Sequence, residues 1–250
     1  METEELTFPG STGSELAGTL HRPEDTARGS ILLAHCFTCS KDLHTMTRLA
    51  SGLADAGYAV LRFDFTGLGE SEGEFSTTTV ANDVRDLAAA ATALIDRGFG
   101  PCGLLGHSLG GAAALLATRK LHTVRSVVTL GAPSTPEHVR HHFVTADDDG
   151  TGDTVRVTIG GREFDIGRGF LDDLDDHDQR GAIADLDRPL LVVHAVDDEV
   201  VGVDEGERIF AAARQPKAFY PLLGTDHLLS SRASAERALD VIRSWFDATL

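Results

Sequence analysis

The chain has little of several features that mark special classes of protein. Its 250 residues include only three cysteines, eight prolines and one tryptophan. Three cysteines cannot build a disulfide framework, and so few suit a reducing compartment. Apolar runs such as residues 31–34 and 190–193 are far shorter than the roughly 18 residues of a membrane span. We therefore exclude disulfide-stapled, fibrous and membrane-spanning classes.

Basic residues are scarce, and lysine most of all. Asp and Glu number 39 against 22 Lys and Arg, which gives a formal net charge of −17, and only Lys41, Lys120 and Lys217 are lysines. Such a field repels nucleic acid and anionic membrane surfaces, so we expect neither as a partner. The excess of Asp over Glu and of Arg over Lys resembles the proteins of salt-loving organisms. An ordinary acidic protein is the alternative.

The remaining composition is that of one globular domain. The chain is 42% hydrophobic and 24% charged, and a chain of this length can bury roughly 75% of its unfolded surface. Residues 1–5 are acidic where a secretory signal is basic, and no apolar stretch follows them. We expect a single cytoplasmic domain over residues 1–250.

Apolar segments alternate with helical patterns along the chain. The predicted strands are residues 6–8, 15–21, 30–36, 59–65, 102–106, 126–130, 190–196 and 218–222. The predicted helices are residues 44–56, 79–97, 111–121, 205–214 and 233–246. Continuous apolar strands that alternate with helices predict an α/β fold, a mostly parallel sheet with helices on both faces.

Residues 134–188, rich in Asp, His and Gly, interrupt this alternation. Within them, residues 155–159 and 164–166 alternate apolar and polar side chains on either side of Gly160 and Gly161, which predicts a hairpin. A short helix is predicted at about residues 170–176. Ligands bind beyond the carboxyl ends of parallel strands, so an insertion after such a strand is predicted to be a lid over the site.

Residues 106–110, Gly-His-Ser-Leu-Gly, match the pattern G-x-S-x-G. In this pattern a serine stands on a tight turn between a strand and a helix, and both elements are predicted around Ser108. A serine hydroxyl becomes a nucleophile when a base takes its proton and a carboxylate orients that base. His227 and Asp198, each just after a predicted strand, are the candidates for base and acid. Asp197 and Glu199 are local rivals of Asp198.

Acyl transfer also needs donors for the charge that develops on the carbonyl oxygen. The backbone N–H groups of Leu109, the residue after the nucleophile, and of Phe37, in the loop after the strand at 30–36, are the predicted oxyanion donors. The glycine-containing loop at residues 66–73 lacks the spacing of a phosphate-binding loop. It is predicted to be a tight turn beside the site.

Ser108, Asp198 and His227 on this strand order resemble the α/β-hydrolase superfamily over essentially the whole chain, with residues 63–71 as its usual strand and turn. Residues 35–41, His-Cys-Phe-Thr-Cys-Ser-Lys, are similar to the hydrolase domain that some bacteria fuse to an OsmC-like, peroxide-reducing domain. The resemblance implies an α/β-hydrolase fold with an eight-stranded sheet and a serine hydrolase. Because the sequence stops at 250, after the last predicted helix, any OsmC-like redox partner is expected to act in trans.

The function expected from this pattern is a cofactor-independent, carboxylesterase-like hydrolase that acts on a small acyl ester through an acyl-enzyme. A serine nucleophile separates it from the haloalkane dehalogenases and epoxide hydrolases of the superfamily, which attack with aspartate. An S33-like peptidase that acts on short peptides is one alternative. A non-catalytic or redox-accessory protein that keeps the fold is the other.

Other motifs predict no metal or cofactor. Cys36 and Cys39 are interpreted as two small residues that pack a tight turn; a redox switch that distorts the oxyanion hole and half of a metal site are the alternatives. His138, His141 and His142 have helical spacing but no further zinc ligands in the pattern. The acidic residues 147–153 depart from a calcium loop at its fifth and twelfth positions and are interpreted as a solvated turn.

Overall fold

The structure is a computed structural model that describes residues 1–100, 102–138, 152–159 and 162–250. In this part of the chain the strands are β1 (Glu2–Pro9), β2 (Glu15–Arg22), β3 (Ser30–Ala34), β4 (Ala59–Phe63), β5 (Cys102–His107), β6 (Val124–Leu130), β7 (Thr154–Ile159), β8 (Arg162–Gly167), β9 (Leu190–Ala195) and β10 (Lys217–Leu222). The helices are α1 (His44–Asp55), α2 (Val80–Asp96), α3 (Leu109–Ala117), α4 (Arg168–Asp173), α5 (Gln179–Ala184), α6 (Val203–Ala212) and α7 (Arg232–Thr249), with a 3₁₀ turn at Phe75–Thr77.

Eight strands form one sheet in the order β1-β2-β4-β3-β5-β6-β9-β10. The first three pair antiparallel, and the rest pair in parallel. Strands β3, β4, β5 and β9 are buried along their whole length, as their continuous apolar sequences require when both faces are covered. The predicted eight-stranded, mostly parallel sheet is confirmed.

Helices cover both faces of this sheet. One apolar core lies between the sheet and α2, α3 and α6, and a second lies between the sheet and α1 and α7. Helix α3 is buried at every position, because it packs between the sheet and neighbouring helices. The turn before α3 is thereby fixed against the centre of the sheet.

The predicted boundaries of two elements near the site are wrong. Strand β3 ends at Ala34 instead of residue 36, because the His35 ring donates a hydrogen bond to the Cys36 carbonyl oxygen and the chain turns away from the sheet. Helix α3 begins at Leu109 instead of Gly111 and ends at Ala117 instead of residue 121. Gly110 and Gly111 lie inside the first turn of the helix, where it packs closely on the sheet.

Residues 134–188, the predicted lid, connect β6 to β9, which are neighbours in the sheet. Strands β7 and β8 pair as the predicted hairpin, with Val155 opposite Ile166 and Val157 opposite Phe164. The predicted Gly160-Gly161 turn lies outside the described residues. Helix α4 follows β8 directly. Among the helices of the described ranges, we find none that is both long and apolar enough to cross a lipid bilayer.

Candidate active site

Ser108 lies at the sharp turn between β5 and α3. Its backbone has φ 54° and ψ −126°, a region that residues with a side chain rarely adopt and that costs about 1–3 kcal/mol. The Ser108 amide donates to the Leu130 carbonyl at 2.9 Å, and the Gly111 amide donates to the Ser108 carbonyl at 2.8 Å. This strained turn is the backbone expected of a nucleophilic serine above a parallel sheet.

The glycines around Ser108 are required by close contacts. A Cβ atom on Gly110 would collide with the carbonyl oxygen of His35, and one on Gly111 would lie 2.6 Å from the Ala132 Cβ. The first turn of α3 therefore rests directly on the end of β3. This contact brings the loop at residues 35–41 beside Ser108.

His227 and Asp198 form a buried pair. The His227 Nδ1–H donates to Asp198 Oδ2 at 2.7 Å, which leaves Nε2 of the imidazole without its proton and able to accept one. Asp198 Oδ1 accepts hydrogen bonds from the amides of Val200 and Val201, both at 2.9 Å. The structure thus brings together the predicted base and acid.

The carboxylates on either side of Asp198 point elsewhere. Asp197 and Glu199 are exposed, whereas the Asp198 side chain is fully buried. Burial alone would raise the pKa of Asp198, but the hydrogen bond and charge of His227 and the two backbone amides outweigh it and hold the pKa below its ordinary value. Asp198 is therefore an anion that orients the His227 ring.

His107, the variable residue of the G-x-S-x-G pattern, connects the serine turn to the histidine loop. Its Nε2–H donates to the carbonyl oxygen of His227 at 2.9 Å. The ring is fully buried, and burial lowers its pKa to about 3, so it is neutral. Thr45 adds a second support, with its hydroxyl donating to the Leu228 carbonyl at 2.5 Å. Sequence reasoning missed His107 because the pattern leaves its second position free, and it missed Thr45 because the contact with Leu228 spans 183 positions.

The loop at residues 35–41, hereafter the oxyanion loop, contains the predicted donor Phe37. At its start, the His35 Nδ1–H donates to the Cys36 carbonyl at 2.7 Å, and His35 Nε2 accepts from the Phe65 amide at 3.3 Å. At its end, the Lys41 amide donates to Asp64 Oδ1 at 2.5 Å. The second predicted donor, Leu109, is the first residue of α3, where the helix leaves its amides without an intrahelical acceptor.

Asp64 is a buried carboxylate that contacts the end of the oxyanion loop. It is completely buried, and its second oxygen accepts from the Glu70 amide at 3.0 Å and lies 3.6 Å from the Lys41 ammonium. A Cβ atom on Gly69 would strike the Asp64 carboxylate. The turn at residues 66–73 is thus held against the loop by one carboxylate.

Lys41 is fixed at three of its atoms. Besides its amide, its carbonyl oxygen accepts from Arg62 at 3.0 Å, and its ammonium lies 2.5 Å from Glu70 and 2.8 Å from Asp42. Burial alone would lower the pKa of Lys41, but the carboxylates around it outweigh this and raise the pKa. The side chain is a buried cation that pins the end of the loop.

Cys36 and Cys39, interpreted as two small residues that pack a tight turn, form such a turn, but a disulfide also joins them. The Cys39 amide donates to the Cys36 carbonyl at 3.1 Å, and this turn brings the two Cα atoms to 5.3 Å, within the range that a disulfide spans. Thr38, between them, has φ 59°. The bond therefore encloses Phe37 and Thr38.

Aromatic rings from the predicted lid cover the oxyanion loop. The Phe37 ring centroid lies 4.9 Å from that of Phe170 and 5.3 Å from that of Phe75, and Phe75 lies 6.3 Å from Phe164. Phe164 and Phe170 belong to the segment between β6 and β9. The oxyanion loop thus packs against the predicted lid through aromatic side chains.

Within the described ranges, no group of three or more His, Cys, Asp or Glu side chains is arranged to hold a metal ion. His138 lies 3.5 Å from the buried carboxylate of Glu205, which also accepts from the Ser134 amide and hydroxyl at 2.7 and 2.6 Å. His141, His142 and residues 147–151 lie outside the described residues.

Comparison with known proteins agrees with this fold. Residues 31–245 match the alpha/beta hydrolase family. The chain belongs to the alpha/beta hydrolase family. The match covers every strand of the main sheet except β1, β2 and the first residue of β3, and it includes Ser108, Asp198 and His227.

Two solved structures and one sequence relative of this alpha/beta hydrolase are informative. The esterase domain of a Rhodothermus marinus protein is 40% identical, with a TM-score of 0.82 over 98% of both chains. Est1E from Butyrivibrio proteoclasticus, solved with ferulic acid, has a TM-score of 0.86 at 18% identity over 98% of this chain and 99% of its own. The uncharacterized protein YfhR of Salmonella typhi is 27% identical over 233 residues, 91% of this chain and 75% of its own. The two structures share the fold of this chain, and the esterase domain, at 40% identity, agrees with the hydrolase class.

Proposed function

We propose that this protein is a carboxylesterase-like serine hydrolase that cleaves small acyl esters without a cofactor. Ser108 is the nucleophile, His227 the general base and Asp198 the residue that orients His227. The amides of Phe37 and Leu109 stabilise the oxyanion. The 40% identity to an esterase domain supports the reaction class.

The reaction follows from the geometry of the pair. His227 Nε2 takes the proton of the Ser108 hydroxyl as Oγ attacks the ester carbonyl carbon, and the carbonyl oxygen gains a negative charge. Two backbone amides that donate to this oxygen each contribute roughly 3–4 kcal/mol to the transition state. The protonated His227 then gives its proton to the departing alcohol. Water, activated by the same ring, hydrolyses the acyl-enzyme.

One observation carries the proposal. His227, whose Nδ1–H is held by a buried carboxylate, is bonded through its own carbonyl to His107, the residue before the strained Ser108. A structural histidine needs neither a buried anion on Nδ1 nor a strained serine turn beside it. The combination supports nucleophilic catalysis over a non-catalytic role.

The test is hydrolysis of p-nitrophenyl esters of increasing acyl length by the wild type and by Ser108→Ala. The matched control is Ser244→Ala, an exposed serine on α7. We expect Ser108→Ala to lose at least about 1000-fold in kcat and Ser244→Ala to keep wild-type kcat. Hydrolysis that survives in folded Ser108→Ala would overturn the proposal.

A second pair of variants tests the choice of acid. Asp198→Asn leaves the shape unchanged but removes the anion from the His227 ring, and we expect kcat to fall by about 1000-fold or more. Asp197→Asn, one residue away and exposed, is expected to change kcat less than about twofold. Equal losses in the two variants would contradict the assignment of Asp198.

The aromatic rings packed around Phe37 support a preference for apolar acyl groups. Phe37, in the oxyanion loop, lies 4.9 Å from Phe170 of the predicted lid, and apolar pockets favour each additional methylene by about 0.8 kcal/mol. We expect kcat/KM to rise with acyl length up to a limit. The ester panel measures that limit, and a fall from acetate onward would argue against an apolar acyl site.

The acidic composition supports a further proposal, that the protein works in a salt-rich cytoplasm. With a net charge of −17, the acidic side chains repel one another strongly in dilute buffer. In molar salt the Debye length falls to about 3 Å, so most of this repulsion is screened. Thermal unfolding followed by circular dichroism is expected at a higher temperature in 2 M KCl than in dilute buffer. Equal midpoints would reject the salt proposal and leave the hydrolase proposal intact.

A further inference from the structure

The Cys36–Cys39 disulfide lies inside the proposed catalytic centre. It closes a loop of four residues that contains Phe37, the predicted oxyanion donor. Within this loop Thr38 has φ 59°, a left-handed conformation that a β-branched residue adopts only when its surroundings impose it. The cross-link is therefore placed where it can impose the backbone direction of the Phe37 amide.

The supports on either side of the disulfide hold the ends of the oxyanion loop. His35 is fixed by the Phe65 amide and Lys41 by Asp64. The peptide between Cys36 and Phe37, whose N–H must point at the substrate oxygen, is held at its carbonyl oxygen by the His35 Nδ1–H and by the Cys39 amide. Opening the disulfide would leave the His35 contact in place but free the Cys39 side of this turn, so that Thr38 can relax and the Phe37 amide can change direction.

The two cysteines differ in exposure. Cys36 is 3% exposed, whereas Cys39 is half-buried. An attacking thiolate can reach Cys39 more readily, and the thiolate that leaves is then Cys36. The third cysteine, Cys102, is buried and free, and burial raises its pKa to about 12, so it stays a protonated, unreactive thiol.

We propose that Cys36–Cys39 is a thiol-exchange site that accepts a dithiol reductant, and that its reduction slows acyl transfer at Ser108. One thiolate of the reductant attacks Cys39 Sγ, which forms a mixed disulfide and releases Cys36 as a thiolate that takes up a proton. The second thiol of the reductant then breaks the mixed disulfide. The protein gains two electrons and two protons, and the dithiol leaves as its cyclic disulfide. The inference rests on the proposed hydrolase function, because the Phe37 amide is what the disulfide holds.

The test measures ester hydrolysis before and after incubation with dithiothreitol, with the new thiols alkylated and counted by mass spectrometry. We expect two new thiols, at Cys36 and Cys39, and a fall in kcat of about 10- to 100-fold, somewhat less than the loss of one oxyanion donor, with KM changed less than about threefold. Removal of the reductant and addition of oxidised glutathione should restore kcat.

Variants separate the disulfide from a general effect of the reductant. Cys102→Ala is the matched control and should lose and regain activity as the wild type does. The double variant Cys36→Ser, Cys39→Ser should be slow from the start and insensitive to dithiothreitol. Circular dichroism checks that each species is folded, and labelling of Ser108 by a fluorophosphonate, which uses the same oxyanion donors, should slow in parallel with kcat.

Three results would overturn the inference. They are a fully reduced wild type with unchanged kcat, a double serine variant with wild-type kcat, and a folded protein in which dithiothreitol releases no thiols. Absence of Ser108-dependent hydrolysis in both redox states is a different result, since it rejects the proposed function itself.

Discussion

The serine turn, residues 106–111, and the oxyanion loop, residues 35–41, touch each other through Gly110 and His35, yet different forces hold them. The serine turn is held by close packing, because its glycines have no side chains and let neighbouring backbone segments come into contact. The oxyanion loop is held by side chains, with Asp64, the His35 ring and a disulfide as its supports. Close packing cannot be adjusted without a clash, whereas polar and covalent supports can be exchanged one at a time.

This difference assigns the two regions different roles. The serine turn fixes a geometry that tolerates little change, since atoms in a close-packed interior cannot move independently. The loop holds the donor amide with separate contacts, each of which a substitution or a chemical reaction can remove. Substitutions in the serine turn and in the oxyanion loop should therefore differ in the size of their effects and in the property that they change.

The largest effect is expected from Gly110→Ala. The added methyl group strikes the His35 carbonyl, a backbone atom that can move only if the oxyanion loop moves with it. We expect kcat/KM for a p-nitrophenyl ester to fall by about 1000-fold, equivalent to about 4 kcal/mol. Gly100→Ala, where a Cβ meets open space, is the control. A Gly110→Ala protein with more than a tenth of wild-type activity would show that the turn can adjust.

Next in size is Asp64→Asn on the loop side. The change keeps the shape but leaves the buried Lys41 without one of its three carboxylates, and removing one partner of a buried ion pair costs about 3 kcal/mol. Urea unfolding should measure this loss against Asp55→Asn, which is exposed on α1 and should cost less than about 0.5 kcal/mol. If both variants unfold at the same urea concentration, Asp64 does not anchor the loop.

The next largest effect is a loss of stability at low pH, caused by the buried His107 in the serine turn. Burial lowers the pKa of His107 from 6.5 to about 3, so above pH 6.5 the ring is neutral in both the folded and the unfolded chain. Below pH 6.5 the unfolded chain binds a proton that the folded chain does not, and stability falls by about 2 kcal/mol at pH 5 from this group.

The variant that isolates this effect is His107→Gln, whose amide can still donate to His227. The loss of unfolding free energy between pH 7.5 and pH 5 should be about 2 kcal/mol smaller than in the wild type. Asp198 does not contribute in this range, because its pKa lies below its ordinary value of 3.8. His122→Gln, at an exposed position, should keep the wild-type loss. The same loss in all three proteins would contradict a neutral His107.

The smallest effect is expected from Glu70→Gln. Glu70 contacts Lys41 at 2.5 Å, but its side chain is 69% exposed, and ion pairs with one exposed partner contribute little. We expect a loss of about 0.5 kcal/mol that shrinks further in molar salt. A loss as large as that of Asp64→Asn would mean that the exposed carboxylate, and not the buried one, fixes Lys41.

The sequence predicted features that repeat or that stand in a fixed pattern. Alternating apolar strands and helices predicted the eight-stranded sheet, and G-x-S-x-G between a strand and a helix predicted the turn at Ser108. Asp198 and His227 were found because each follows a predicted strand, where the carboxyl ends of parallel strands meet. Their pairing at 2.7 Å is the long-range contact that this rule anticipates.

What the sequence did not predict depends on single contacts between distant residues. Nothing local to Asp64 indicates that its carboxylate receives the amide of Lys41, and nothing in G-x-S-x-G selects a histidine that reaches His227. The disulfide was misjudged for a related reason. Spacing alone does not say whether Cys36 and Cys39 face each other, and the left-handed turn at Thr38 that brings them together is rare for threonine.

The hydrogen bond from His107 to His227 joins positions 120 residues apart. Contacts of such separation form slowly, because the chain must first give up the entropy of closing a long loop. Strands β9 and β10 must have joined the sheet before this bond exists, although the helices around Ser108 can form earlier from local contacts. In a refolding experiment, recovery of Ser108 reactivity should therefore lag behind recovery of helical signal, and the site would serve as a built-in reporter of completed folding.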